Sequence, residues 1–145
     1  MDRFLIHGPC KVKGQVIVSG SKNAALPILA STLLFDKPVE IKNLPNVKDI
    51  DTMLILLKSL GLKIIRNKKN NSVKISKVKK IKTLATYSLV KTMRAGILVL
   101  GPLLAKYKKA TTSLPGGCLI GARPVNYHLN SLKKLEMKYF IRKGY

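Results

Sequence analysis

The pattern of apolar positions alternates between short strand-like runs and longer helix-like runs. Period-two alternation predicts short strands over residues 4–6, 15–18 and 39–41. Residues 22–35 place their apolar side chains on one face of a helix, in which Pro27 is tolerated only near the first turn. The beginning of the chain is therefore typical of an α/β protein.

The alternation continues with a second helix and a hairpin. Residues 50–60 have helical periodicity, with Asp49 as the expected N-cap and Gly61 as the expected C-terminal stop. Residues 62–65 and 73–75 then predict two strands that are joined by a polar turn.

The rest of the chain repeats this order of elements. The pattern predicts a helix over residues 89–104, a strand over 110–114, a glycine-rich loop, a helix over about 125–135 and a strand over 138–142. The expected fold class is mixed α/β.

Two halves of the sequence align with each other. Residues 25–34 match residues 95–104 at an offset of 70, and the offset becomes 75 after the glycine-rich loop, where Leu60 matches Leu135. We interpret this as a duplicated strand–helix–strand–helix–hairpin unit, with copies over about 21–85 and 86–145. The second copy ends where its hairpin turn is expected, so we expect a chain that is truncated within the second unit.

Charge and composition narrow the function classes. The formal net charge of +22 predicts non-specific attraction to anionic partners. Residues 63–82 carry nine Lys and Arg and no acid, which favours either nucleic-acid binding or one solvated strand face. The region has no interleaved aromatic residues for base stacking, and the two cysteines are too few for a disulfide framework. We find no secretory signal or membrane span, so a cytoplasmic location is expected.

The segment SLPGGCLIGARP, residues 113–124, is the strongest chemical feature. Its glycines permit close backbone approach to a ligand, and Arg123 offers a planar fork for phosphate or carboxylate. A nearby cation favours the thiolate of Cys118 and a loop position gives access, so Cys118 would serve as a nucleophile in its thiolate form or as a proton donor in its thiol form. The alternative is a glycine-rich turn with a buried, inert cysteine.

Two further segments have candidate anion-binding residues. SGSKNAA, residues 19–25, opens a helix with Lys22 beside its first amides, which is either an anion site or an N-cap with a solvated lysine. Arg94 leads into an apolar helix and is either a ligand or a surface charge. His7 and His128 have no partner at metal-ligand spacing, so no metal is expected.

These motifs, together with DIDT (49–52) and LVKTMRA (89–95), occur in one order along the chain. In this they resemble the N-terminal portion of the UDP-N-acetylglucosamine 1-carboxyvinyltransferases, which belong to the enolpyruvyl transferases. The resemblance implies an inside-out α/β barrel, with residues 1–20 forming strands of the other domain and residues 21–145 forming part of the enolpyruvyl transferase domain. It implies transfer of the enolpyruvyl group from phosphoenolpyruvate to the sugar 3-hydroxyl of UDP-N-acetylglucosamine, without a cofactor, in peptidoglycan synthesis.

The resemblance also implies roles for particular residues. Cys118 matches the catalytic cysteine that fosfomycin alkylates. The positions that match substrate-binding residues of the family are Lys22, Asn23, Arg94, Arg123, Pro124, Val125, Asn126 and Tyr127.

Three departures from the family pattern limit these expectations. Asn126 and Tyr127 stand where the family usually has Asp and Leu, and Glu136 replaces the usual glycine after the helix. The chain lacks the later Asp and Arg of the family's site and nearly all of its second domain. We therefore expect no complete reaction from this chain alone, and the alternatives are an enzyme completed by a separately encoded partner, an inactive truncated remnant, or a basic nucleic-acid-binding module.

Overall fold

The computed structural model describes residues 3–78, 80–90, 93–113 and 125–141, and its central element is helix α2 (Lys48–Ser59). Apolar residues recur every three or four positions along α2, so one face of the helix is apolar. Ile50, Met53, Leu56 and Leu57 on that face are fully buried. The other elements of the first half are arranged around this helix.

A three-stranded antiparallel sheet covers one side of α2. Its strands are β1 (Val39–Ile41), β2 (Leu62–Asn67) and β3 (Ser72–Lys77), in the order β1–β3–β2. Ile75 of the central strand pairs with Val39 on one side and Ile64 on the other, and it is 2 % exposed. The strand over residues 39–41 and the hairpin after α2 are thereby confirmed.

Helix α1 (Lys22–Ser31) packs against α2 and continues as a 3-10 turn, Thr32–Leu34. The predicted helix over residues 22–35 is confirmed, although Pro27 lies in the sixth position and not in the first turn. Proline has no N–H, so the helical hydrogen bond to the Asn23 carbonyl cannot form.

Of the two predicted boundaries of α2, the C-terminal one is confirmed and the N-terminal one is not. Gly61 has φ +112° just after the helix, as expected of a stop residue. Asp49 as N-cap is wrong: the helix begins at Lys48, and the N-cap is Val47, which makes no side-chain capping bond. Asp49 lies in the first helical turn, where its carboxylate still interacts favourably with the helix dipole.

The single helix predicted over residues 89–104 is wrong. The structure has α3 (Tyr87–Val90), a 3-10 helix (Arg94–Val99) and α4 (Leu100–Tyr107). Met93 is extended, with φ −145° and ψ 118°, and interrupts the helix. Beyond this break, a Cβ added to Gly96 would lie 3.1 Å from a Val90 methyl group, a tight contact that glycine avoids where the chain returns to Val90.

The elements after α4 are short. Strand β5 (Thr111–Thr112) confirms part of the predicted strand at 110–114 and pairs in parallel with β4 (Leu84–Ala85). Helix α5 (Asn126–Lys134) confirms the helix predicted near 125–135.

The strands predicted at the two ends of the chain do not form among the described residues. Residues 4–6, 15–18 and 138–141 have no strand assignment. A strand requires a neighbour for its backbone hydrogen bonds, and no described strand pairs with these segments. Phe4 and Ile17 are 96 % and 92 % exposed, which is unusual for apolar side chains of a folded domain.

An ion-pair network joins α4 to the first half of the fold. Lys106 Nζ lies 2.7 Å from Asp36 Oδ1 and donates to the Leu34 carbonyl at 2.9 Å, and Lys77 Nζ lies 3.5 Å from the same carboxylate oxygen. The hydrogen bond from Lys106, reinforced by the charges of Lys106 and Lys77, holds the pKa of Asp36 below its usual 3.8.

Replacing Asp36 tests this network. A carboxylate with a lowered folded-state pKa stabilises the fold above its usual pKa, and this contribution is lost as the pH falls through the folded value. We expect Asp36→Asn to lower the free energy of unfolding at neutral pH, and the deficit to shrink below pH 3.8. Urea unfolding at neutral pH and below pH 3.8 measures this loss of unfolding free energy, with Glu40→Gln as the control. A loss that does not change with pH contradicts the role assigned to the Asp36 carboxylate.

Glu136 provides a second test of stability, because it has φ +61° directly after α5 and its C-cap. A residue other than glycine costs about 1 kcal/mol in this conformation. We expect Glu136→Gly to raise the free energy of unfolding by about this amount in urea titrations. Lys134→Gly, inside α5, is the control and should lower it.

Candidate functional site

The candidate site is built on the start of helix α1. Ser21 is the N-cap, with φ −75° and ψ 128°, and its hydroxyl accepts a hydrogen bond from the Ala24 N–H at 3.4 Å. The helix start expected in this segment is confirmed. Lys22 is the first helical residue, and Asn23 follows it on the exposed surface.

Residue 20 fixes this helix start to the loop after β1. The Gly20 N–H donates to Asn43 Oδ1 at 3.1 Å, and a Cβ on Gly20 would overlap the Asn43 carbonyl oxygen. Asn43 itself has φ +56°, a conformation that asparagine tolerates better than most residues. Only glycine therefore allows the chain to pass this close to the loop.

The same loop is anchored on its other side to the hairpin. The Leu44 N–H donates to the Asn71 carbonyl at 2.7 Å, and Arg66 Nη2 donates to the Pro45 carbonyl at 3.3 Å. Arg66 Nε and Nη1 are buried and have no hydrogen-bond partner among the residues that the structure describes. Arg66 belongs to the basic stretch 63–82, for which the pattern favours nucleic-acid binding or a solvated strand face. The structure instead turns Arg66 inward, where it supports the loop between β1 and α2.

The starts of α1 and α2 are joined by an ion pair. Lys22 Nζ lies 2.8 Å from Asp49 Oδ2, with side-chain exposures of 46 % and 40 %. Lys22 lies at the positive end of the α1 dipole, where a cation is unfavourable, and Asp49 supplies the opposing charge. A pair this exposed is worth at most about 1 kcal/mol, so the lysine ammonium can exchange Asp49 for another anion at little cost.

The pairing of Asp49 with Lys22 does not show in the local sequence pattern, because the two residues are 27 positions apart. Both residues lie at the starts of consecutive apolar helices, and this is the one feature of the sequence that indicates that they could pair. Their proximity depends on how α1 packs against α2, and no sequence spacing specifies that geometry.

The remaining candidates are distributed over other elements. Arg94 is exposed and begins the 3-10 helix that packs on α1. Asn126 and Tyr127 are exposed at the start of α5, and Val125 precedes them. The predicted catalytic Cys118 and the predicted ligands Arg123 and Pro124 lie outside the described residues.

Val125 contributes to an apolar cavity of about 460 Å³, and Tyr127 to a shallow depression along α5. The described lining of neither cavity includes Lys22, Asn23 or Arg94. The described structure thus associates Lys22, Asn23 and Arg94 with α1, and Val125, Asn126 and Tyr127 with α5.

Other candidate chemistries find no support in the described residues. Within them, no three His, Cys, Asp or Glu side chains cluster in a way that would hold a metal ion. No helix among them is long and apolar enough to cross a membrane. In the basic stretch, Lys68 pairs with Asp51 and Lys77 with Asp36, so these two cations serve the fold itself.

The chain matches the model of a known protein family and has the fold of a solved relative. Residues 6–145 match the family model of EPSP synthase (3-phosphoshikimate 1-carboxyvinyltransferase), so the chain belongs to the EPSP synthase family. The enolpyruvyl transferase NikO from Streptomyces tendae has a similar fold, with a TM-score of 0.59 and 19 % identity over 70 % of this chain and 23 % of that chain. The expected α/β fold of this class is confirmed.

More similar relatives carry a more particular name. UDP-N-acetylglucosamine 1-carboxyvinyltransferase of Pelagibacter ubique (strain HTCC1062) is 61 % identical over all 145 residues, and that of Hamiltonella defensa subsp. Acyrthosiphon pisum (strain 5AT) is 53 % identical. The corresponding protein of Escherichia coli O9:H4 (strain HS) is 50 % identical. The chain spans 34 % of the length of each, so the predicted resemblance to a portion of these proteins is confirmed.

The contact at Gly20 gives a test of the site's construction. A methyl group there must displace the Asn43 carbonyl, and we expect Gly20→Ala to lower the free energy of unfolding by about 1–3 kcal/mol. Gly101→Ala is the matched control, because a Cβ at this α4 position meets open space and alanine favours helix. Urea unfolding measures both; equal effects contradict the close contact.

Proposed function

We propose that the chain is the N-terminal part of an enzyme that transfers the enolpyruvyl group from phosphoenolpyruvate to the 3-hydroxyl of UDP-N-acetylglucosamine. The observation that carries this proposal is the identity of 50–61 % over the whole chain to proteins named for that reaction. Such a protein acts in the cytoplasm on the first committed step of peptidoglycan synthesis.

The charges of the described site fit the chemistry of these two substrates. Phosphoenolpyruvate and a nucleotide sugar are both anionic, and both require preorganised donors and positive charge. Lys22, the first residue of α1, has a half-exposed side chain whose ammonium pairs with Asp49. Exposed Asn23 and Arg94 add an amide and a guanidinium on neighbouring elements.

In the proposed reaction Asp49 keeps Lys22 in place until an anion arrives. The phosphoenolpyruvate carboxylate or phosphate then takes over the ammonium, and Asp49 remains near the start of α2. The Cys118 thiol supplies a proton to the methylene carbon of phosphoenolpyruvate while the sugar 3-hydroxyl adds to C2 and loses its own proton. Loss of phosphate from C2 and of a proton from the new methyl group then restores the double bond, and Arg123 neutralises the substrate charge. Pro124, Val125, Asn126 and Tyr127 contact the nucleotide sugar.

The segment before α1 is assigned to the other domain of the enzyme in this proposal. Residues 3–19 are exposed throughout, and their apolar side chains have no described strand to pack on. We assign residues 1–20 to strands of that domain, residues 21–85 to one unit and 86–145 to part of a second. The rest of the enzyme, whether on the same polypeptide or separately encoded, then completes the active site.

Labelling by fosfomycin tests whether the site is formed. We expect the 145-residue chain to be alkylated at Cys118, faster when UDP-N-acetylglucosamine is present, with the exposed thiol of Cys10 as an internal control. Lys22→Met should slow this labelling at least about tenfold because it removes a cation from the anion site. Lys58→Met, in the last turn of α2, is the matched control; mass spectrometry of tryptic peptides measures both.

Phosphate release from phosphoenolpyruvate and UDP-N-acetylglucosamine tests the reaction itself. We expect none from these 145 residues alone and measurable turnover after addition of the remaining two-thirds of a relative. An absence of labelling together with an absence of turnover in the mixture contradicts the proposed activity and favours an inactive remnant.

A further inference from the structure

The segment between β3 and β4 presents lysines and apolar side chains together on one exposed face. Val78 and Leu84 at its two ends are 58 % and 49 % exposed, and Lys80 and Lys82 between them are exposed as well. Ile81, which lies between the two lysines, is 6 % exposed. Exposed and buried positions therefore alternate here, with both lysines on the solvent side.

This segment runs beside the C-terminal end of α2. The Lys82 N–H donates to the Leu60 carbonyl at 2.8 Å, and a Cβ on Gly61 would lie 3.2 Å from the Lys80 carbonyl oxygen. The backbone of the two lysines is thereby fixed against the turn that follows α2, while their side chains remain exposed.

Two further exposed lysines come from the same end of α2. Lys58 lies in the last turn of the helix, and Lys63 is the second residue of β2. These four lysines and the two exposed apolar residues surround the turn after α2, and we call them the basic surface. It consists of Lys58, Lys63, Val78, Lys80, Lys82 and Leu84.

Acidic residues do not neutralise the basic surface. The ion pairs of the described residues join Asp36, Asp49 and Asp51 to lysines outside this surface. Glu40 lies opposite Lys74 in the register of β1 and β3. Within the described part of the chain, none of the four lysines of the basic surface forms an ion pair. Their field therefore extends into solvent and attracts an anionic partner.

The basic surface lies away from the candidate functional site. Asp49 is in the first turn of α2 and Lys58 in the last, so the two are about 14 Å apart along the helix axis. A partner that binds the basic surface consequently leaves the start of α2, with its Lys22–Asp49 pair, open.

The mixture of side chains indicates the chemistry of that partner. Lysine clusters are attracted to the negative surface of a membrane that contains anionic phospholipids, and neighbouring apolar side chains enter the interface between headgroups and acyl chains. Binding of nucleic acid favours arginine and aromatic side chains, which the basic surface lacks. Exposed Val78 and Leu84 have no role against a phosphate backbone.

We propose that the basic surface binds the face of a bilayer that contains anionic phospholipids. The four lysines contact the headgroup phosphates, and Val78 and Leu84 enter the interface beside them. The chain is then held on the membrane surface while the start of α2 stays open. This role is independent of the reaction proposed above.

Sedimentation with lipid vesicles tests the binding. The 145-residue chain is mixed with vesicles of phosphatidylcholine alone, or of phosphatidylcholine with about one third phosphatidylglycerol. We expect binding only to the anionic vesicles, with an affinity that falls at least about tenfold between ~0.05 M and ~0.5 M salt, because salt screens exposed charges. Equal binding to both kinds of vesicle overturns the proposal.

Charge variants locate the binding surface within a chain that is basic throughout. Lys80→Gln together with Lys82→Gln should weaken binding to the anionic vesicles at least about tenfold, since each lysine near such a surface contributes about fivefold. Lys42→Gln with Lys69→Gln removes the same charge from exposed positions, after β1 and in the hairpin turn, and should weaken binding less than about threefold. Circular dichroism checks that both double variants are folded, and equal losses in the two overturn the proposal.

An apolar variant distinguishes a membrane from nucleic acid. Val78→Ser should weaken binding to the anionic vesicles at least about threefold and leave binding to a short DNA duplex unchanged. Ile65→Ser, at a β2 residue that is 55 % exposed, is the matched control and should leave vesicle binding unchanged. Equal effects of the two serine variants, or tighter binding to the duplex than to vesicles at equal phosphate concentration, identify a partner other than a bilayer and overturn the proposal.

Discussion

Burial of the apolar face of α2 is the constraint on which the rest of this structure depends. Ile50, Met53, Leu56 and Leu57 lose all contact with solvent only because a sheet covers one side of the helix and α1 lies against the other. The hydrophobic gain from four such side chains is of order 6–12 kcal/mol, which exceeds any single polar interaction in the molecule. The polar residues of the candidate site are therefore positioned by this packing and contribute little to it.

The loop between β1 and α2 transmits that packing to the candidate site. Asn71 and Arg66 of the hairpin hold the loop backbone, and Asn43 in turn holds the Gly20 amide just before α1. This sequence of contacts brings two helix starts together, with Lys22 on one and Asp49 on the other. A weak, exposed ion pair at such a place suits exchange with an anionic ligand better than a buried pair would, since a buried charge is costly to release.

The two halves of the molecule differ in how completely their apolar faces are covered. In the first half the apolar face of α2 is fully buried, whereas none of the α5 residues in the second half is buried among the described residues. The apolar side chains of residues 4–18 are also exposed among them. The positively charged residues of the chain also have different roles. Lys77 and Lys106 stabilise the fold, Lys22 belongs to the candidate site, and many others lie on solvated faces.

The sequence by itself determined the helices with a clear 3.6-residue period, the hairpin and its polar turn, the class of fold and the start of α1, because these depend on neighbours within a few positions. It also indicated Lys22 as a candidate anion-binding residue through a local motif, and Asn23 through the family resemblance. Only the tertiary structure decided that residues 89–104 break at Met93, that Arg66 points inward and that Asp49 pairs with Lys22. Each of these features is set by contacts between residues that are distant in sequence and close in space. The strands predicted at the two ends are absent among the described residues for the same reason, because a strand forms only where another strand is present to hydrogen-bond with it.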